Sequence, residues 1–297
     1  MKRSGLPGRL AAACRSAARR LAAGCGLTLL ALAGCAGPPR GESPWAFKLQ
    51  PPPHYRLVWA EEFERDGAPD PARWRHDTGR NREGWYNNER QYYAGPRAEN
   101  AVVQGGRLHI TARRESLRDA PDWGGQAYTS ARLITRGKAE WTYGFFEVRA
   151  RVACGKGTWP AIWMLSTQGG WPDDGELDIM EFMGRNPHQV SSAVHTKPAH
   201  AANPSWGVAR VPDACKRFHR YQMHWTPQGV TFGVDGFAHL HYPRMEGAAG
   251  AWPFDAPQFM ILNVAVGGHL GGPVDDRIFP TAMEVDYVRV WQPPGKP

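Results

Sequence analysis

The chain has 297 residues, 42% of them hydrophobic and 13 of them Trp, enough to build a substantial core in one large or two ordinary domains. Its formal charge of +8 sits largely at one end: Lys2, Arg3, Arg9, Arg15, Arg19 and Arg20 precede Cys35 with no acid among them, and the remainder carries only +2. A balance that close to neutral excludes a nucleic-acid binder on net charge.

In chain order, the basic N-terminal run leads into the apolar stretch LAAGCGLTLLALAG, too short and too rich in small residues to span a bilayer as a permanent helix. It ends in Leu32-Ala33-Gly34-Cys35, which resembles the lipobox of bacterial lipoproteins, whose Cys is acylated and becomes the mature N-terminus. That resemblance implies a signal peptide over residues 1–35 and a lipidated Cys35, anchoring the protein to a membrane of the cell envelope through several acyl chains. An ordinary cleaved signal with an incidental Cys, and hence a secreted protein, is the alternative. Residues 36–53, rich in Pro and Gly and without helical or strand period, read as a tether.

From His54 onward short apolar or alternating runs recur between turn residues. FFEVRARVA puts Phe146, Val148, Ala150 and Val152 on one face and Glu147, Arg149 and Arg151 on the other, the period of a half-buried strand. GVTFGVDGFAHLHY sets Asp235-Gly236 between two such runs, a strong hairpin signal. QFMILNVAVGG is a continuous apolar run suited to a strand covered on both faces, and MEVDYVRVWQ is strand-like again. Amphipathic helical patterns are scarce, so one all-β sandwich domain over residues 54–293, with a short tail at 294–297, is the simplest account. Of the five cysteines only Cys154 and Cys215 fall within it; a disulfide and two buried thiols are both compatible with the sequence.

The chemistry lies in GELDIMEF, residues 175–182. On a regular strand Glu176 and Asp178 share a face, and the next position on that face is Met180 rather than Glu181. One extra residue, a β-bulge within Ile179-Met180, brings Glu181 round beside the other two. The two Glu Cα atoms are then about 13 Å apart along the strand, and two long side chains leaning together can close their carboxyls to the roughly 5 to 5.5 Å of a retaining glycosidase. Three neighbouring carboxylates cannot all stay comfortably ionised, so at least one is expected to titrate high. A solvated acidic face or a calcium site is the competing account.

GTWPAIWML and WPDDGELDIMEF together resemble the signature of family 16 glycoside hydrolases, in the bulged Glu-x-Asp-x-x-Glu form of laminarinase-like β-glucanases. LVWAEEF, GWYNNERQYY, GGRLHITARRE, YGFFEVRARV, FHRYQMHWTP, ILNVAVGG and VDYVRVW follow in the order that family shows. The resemblance implies a concanavalin-like jelly roll of two antiparallel sheets with a concave cleft, acting as a monomer on a polysaccharide, β-1,3- or mixed β-1,3/1,4-glucan. It implies Glu176 as nucleophile, Glu181 as acid/base and Asp178 as the hydrogen-bonding residue between them, with no cofactor required for catalysis. Trp159, Trp163 and Trp171 are expected to stack on sugar rings, with a core role as the alternative for each, and Asn87, Arg132, His195 and Asn263 to make polar contacts to them, with a turn or core role as the alternative. Glu62, Asp286 and the backbone at Gly106 match positions where several relatives hold a structural calcium. A transglycosylase using the same intermediate, or a glucan-binding module, are the alternatives, and the intact carboxylates argue against the second. Phe182, and GGHLGG in place of a Gly-Gly-Asn-Trp sequence, depart from the common pattern and leave the shape of one cleft end open.

Overall fold

The computed structural model describes residues 48–295 apart from 202 and 246. The expected signal peptide, Cys35, most of the tether and the last residues of the tail lie outside the described residues. Seventeen strands run in chain order: β1 (Arg56–Glu61), β2 (Arg75–His76), β3 (Gln91–Tyr93), β4 (Ala101–Val103), β5 (Leu108–Ala112), β6 (Tyr128–Ser130), β7 (Arg132–Ile134), β8 (Gly144–Arg151) and β9 (Thr158–Ser166). Then follow β10 (Glu176–Phe182), β11 (Gln189–His195), β12 (Ser205–Arg210), β13 (His219–Thr226), β14 (Gly229–Val234), β15 (Phe237–Pro243), β16 (Gln258–Val266) and β17 (Thr281–Gln292).

Two antiparallel sheets hold nearly all of them. One has the order β15-β14-β13-β8-β17-β5-β4 with β1 also on β17; the other has the order β12-β11-β10-β9-β16-β7-β2. The alternation read from the sequence decides what lies between them. Phe146, Val148 and Ala150 of β8 meet Ile162 and Met164 of β9, Leu177 and Phe182 of β10, and Met260, Leu262 and Val264 of β16 in one core. Each large side chain removed from water there contributes about 1.5 to 3 kcal/mol. Arg149, on the opposite face of β8, pairs across the sheet with Asp286 at 2.5 Å.

β16 is buried along its whole length, as its unbroken apolar run predicts. Its second face carries a smaller apolar cluster, Ile134, Phe259 and Ile261 under Trp163 and Leu165. The predicted hairpin is present: Asp235 (φ 53°) and Gly236 (φ 91°) form the turn between β14 and β15, the left-handed pair that a two-residue type I′ connection requires. Cys154 and Cys215 are bonded, with Cα atoms 5.8 Å apart, tying the end of β8 to the segment before β13.

The tether ends earlier than its composition suggests. Lys48 bridges Phe237, the Leu49 N–H donates to Gly236 O at 2.7 Å, and Leu49 is 3% exposed. An edge hairpin offers unpaired backbone groups, and Gly233 leaves a dent there: a Cβ on it would stand 2.7 Å from Leu49 Cδ2. Neither partner is visible in the local Pro-rich pattern, so Lys48 and Leu49, which the sequence assigns to the tether, belong to the folded unit.

Candidate active site

β10 contains the predicted bulge. Against β9, Asp178 lies opposite Trp163 but Met180 opposite Ile162; against β11, Asp178 lies opposite Ala193 and Glu181 opposite Ser191. Ile179 and Met180 both turn into the core, 1% and 0% exposed, and Glu181 therefore rejoins Glu176 and Asp178 on the cleft face. Gly175 leads into the strand at φ +79°, where a Cβ would collide with Phe254 and Pro253 at 2.5 and 2.6 Å; only glycine fits that approach.

Each glutamate is gripped by an indole. Trp171 Nε1 donates to Glu176 Oε2 at 2.5 Å, and Trp159 Nε1 donates to Glu181 Oε1 at 3.1 Å. His195 stands directly opposite Glu176 on β11, with Nε2 3.3 Å from Asp178 Oδ2. It thus stands at the Glu176 end of the trio.

Burial raises all three carboxylates. Glu176 is pushed up to about 8 by burial and by the Asp178 charge, and Glu181 to about 7 by burial and by the Glu176 charge. Asp178 is held well above the ordinary carboxylate range, by burial first and then by Glu181. Asp178 is also the most enclosed, its side chain 4% exposed, and so keeps its proton longest. A neutral Asp178 no longer repels Glu176. A charge on Glu176 would hold the proton on Glu181.

A cleft of about 630 Å³ opens beside the trio, lined by Trp85, Asn87, Arg132, Trp163, Trp171 and Glu176 among others. Asn87 reaches it from a 3-10 turn over Tyr86–Asn88, with φ 59°. The Arg132 guanidinium lies 4.7 Å from the Trp163 ring centroid and 5.1 Å from that of Trp85, and its Nε is 2.9 Å from Asp77 Oδ2. Trp171 is 49% exposed at the rim, whereas Trp159 is 9% exposed and its N–H is taken by Glu181.

Asn263 lies beneath the cleft wall. It is 5% exposed, accepts the Trp163 N–H at 2.7 Å and donates to Tyr93 Oη at 2.8 Å. Its amide is engaged below Trp163 and orients that ring, the core role that the sequence left open. The sequence reading overlooked Tyr93, Asp77, Trp85 and Tyr86; GWYNNERQYY contained three of them, and its density of aromatic and amide side chains was the available signal.

The expected calcium ligands do not fit an ion as they stand. Glu62 accepts two bonds of 2.8 Å from Arg289, and Asp286 is paired with Arg149. A hard cation needs free oxygen charge, and here guanidinium groups already occupy it; Gly106 merely turns, at φ +74°, ahead of β5. Among the described residues, Glu176, Asp178 and His195 bring ligand atoms within 4.8 Å of one another, but two of these are carboxylates of the trio and the third is the histidine that faces them.

A concave sheet with paired glutamates, a carboxyl between them and a tryptophan-lined cleft defines a glycoside hydrolase built on a β-sandwich. The family model of glycosyl hydrolases family 16 matches residues 88–289, and the chain belongs to that family. It is 48% identical over 254 residues to the β-glucanase of Rhodothermus marinus, covering 81% of this chain and 86% of that protein. It is 37% identical over 255 residues to the glucan endo-1,3-β-glucosidase of Cryptopygus antarcticus, covering 79% and 91%. Among solved structures, the laminarinase of Rhodothermus marinus superposes with a TM-score of 0.75 at 47% identity, covering 80% of this chain and 98% of that one.

Proposed function

We propose that the protein is a retaining endo-β-glucanase acting on β-1,3- and mixed β-1,3/1,4-glucan by double displacement. The observation that carries this reading is the bulge in β10, which turns Glu176 and Glu181 onto one cleft face with an indole on each. In the first step a Glu176 oxygen bonds to the anomeric carbon as the bond to the leaving oxygen breaks, and Glu181 gives its proton to that oxygen. In the second, water attacks the anomeric carbon, Glu181 takes the water's proton, and the bond to Glu176 breaks. Asp178 donates to Glu176 while the latter is charged. Trp163, fixed by Asn263, and Arg132, fixed by Asp77, shape the cleft side that holds the sugar chain.

Incubating the soluble domain with laminarin, lichenan, xyloglucan and agarose, with products sized and the anomer first formed followed by NMR, tests this. Internal cleavage of laminarin and lichenan to short oligosaccharides with retained configuration is expected; no cleavage of any β-glucan, or inverted product, rules the reading out. Glu176→Gln is expected to abolish turnover.

The chain is also proposed to be exported and anchored through an acylated Cys35, on the strength of the basic run, the short apolar stretch and Leu-Ala-Gly-Cys. Metabolic labelling with a fatty acid should mark the wild type and not Cys35→Ala; an unlabelled wild-type protein in the culture medium contradicts it.

A further inference from the structure

β12 is the outer strand of the concave sheet, and its side chains alternate. Gly207 faces β15 so closely that a Cβ would stand 2.8 Å from His239 O and Leu240 Cβ, and Ala209 packs on the core. Trp206 and Val208 therefore face the other way, and are 62% and 38% exposed.

The register says where that other face lies. Trp206 is opposite Ala193, which is opposite Asp178; Val208 is opposite Ser191, which is opposite Glu181. Residues opposite one another in a ladder share a face. Trp206 and Val208 thus stand on the cleft face, two strand spacings or about 10 Å from the carboxyl-bearing strand. Between them in the ladder lie Ala193 and Ser191, whose short side chains keep the floor low while the indole rises at its end.

The 630 Å³ cleft extends from β10 in the opposite direction, over β9, β16 and β7. A glucan chain lying across the strands with one linkage between Glu176 and Glu181 must send its other half over β11 and β12. The enclosed cleft suits the half that stays covalently attached through the intermediate. The open shelf suits the half that departs and admits water to Glu181. An exposed indole presents the apolar face on which the C–H face of a pyranose packs, and an apolar patch continuous with a cleft marks a contact surface. We propose that Trp206, backed by Val208, is a stacking platform for the sugar rings on the leaving-group side, and for the acceptor sugar when the intermediate is transferred instead of hydrolysed.

This rests on the glucanase reading, and the two fail separately. Wild type, Trp206→Ala and Trp206→Tyr are compared on laminarin and on nitrophenyl β-laminaritrioside, whose aglycone offers the shelf no sugar. For Trp206→Ala the ratio of kcat/KM on laminarin to that on the aryl substrate is expected to fall about tenfold, as for one lost ring stack. Transfer to added laminaribiose should fall with it, and Trp206→Tyr should recover most of both. An unchanged ratio, whether activities are retained, fall together or change with the oligomeric state on gel filtration, overturns the platform while leaving the enzyme a glucanase. A wild-type protein inert on laminarin instead removes the reading beneath it.

Discussion

Trp159 donates its indole N–H to Glu181 Oε1 at 3.1 Å across the β9–β10 pair, so the proposed acid/base is held by a residue that is itself 9% exposed. That bond lowers Glu181, opposing the burial and the Glu176 charge that push it up to about 7. Trp159→Phe keeps the ring and loses the donor, so Glu181 should rise and the basic limb of the kcat/KM profile should move to higher pH. Turnover is expected to fall about tenfold as the carboxyl loses its orientation. A profile with an unmoved basic limb would remove Trp159 from this role.

The two glutamates should separate by chemical rescue. Glu176→Gly with azide is expected to give the α-glycosyl azide, since the small anion fills the place of the missing nucleophile. Glu181→Ala with an activated aryl glycoside and azide should give the β-glycosyl azide, because the intermediate still forms on Glu176. The reverse pairing of variants and anomers would interchange the roles.

The same carboxylates weigh on stability, and the sign can be worked out. Glu176 titrates near 4.5 when unfolded and about 8 in the fold. Between those values the unfolded chain binds fewer protons, so the group's contribution to stability falls as pH rises. Glu176→Gln removes the ionisation without removing the shape. It should be more stable than wild type by about 1 to 2 kcal/mol near pH 8, with the difference vanishing near pH 4. Denaturant melts at the two pH values check this; a constant difference contradicts it.

Reduction or Cys154→Ala should destabilise the domain by about 4 kcal/mol, because the bond closes a loop over a sequence separation of 61 residues. For a domain of this size that lowers Tm by roughly 10 °C. A calorimetric scan with and without reductant is sufficient, and an unchanged Tm would mean that the sheets alone hold that end of β8.

Asn263→Ala should raise KM for laminarin severalfold with a smaller change in kcat, because Trp163 loses its acceptor while the trio keeps its own partners. The buried Trp163 N–H and Tyr93 hydroxyl left without it make a stability loss of about 1 to 3 kcal/mol the accompanying outcome. A defect confined to kcat would place Asn263 nearer the reacting atoms than its two hydrogen bonds do.

What could be read in the sequence was whatever is written within one segment. Asp235-Gly236 announces its hairpin because a two-residue turn needs left-handed residues at those positions. GELDIMEF announces its bulge because three acids at that spacing cannot otherwise share a face. Leu49 filling the dent at Gly233, Asn263 engaged between Trp163 and Tyr93, and Arg289 and Arg149 occupying Glu62 and Asp286 all depend on register between distant strands. No local period encodes that register. Trp206 is the intermediate case: Gly207 and Ala209 alternating with Trp206 and Val208 betray a strand with one close-packed face, but only the ladder to β11 shows that the other face is the cleft.

The bulge also gives the catalytic strand an unusual tolerance. A one-residue indel inside a strand ordinarily turns everything downstream inside out. In β10 the surplus residue is already absorbed between Asp178 and Glu181, with Ile179 and Met180 both facing inward. Excising either one converts the segment to plain alternation, with Glu176, Asp178 and Glu181 still facing the sugar and Phe182 still facing the core. The strand thus has two allowed reading frames for one chemistry, and passing between them requires a codon gained or lost, not a new active site.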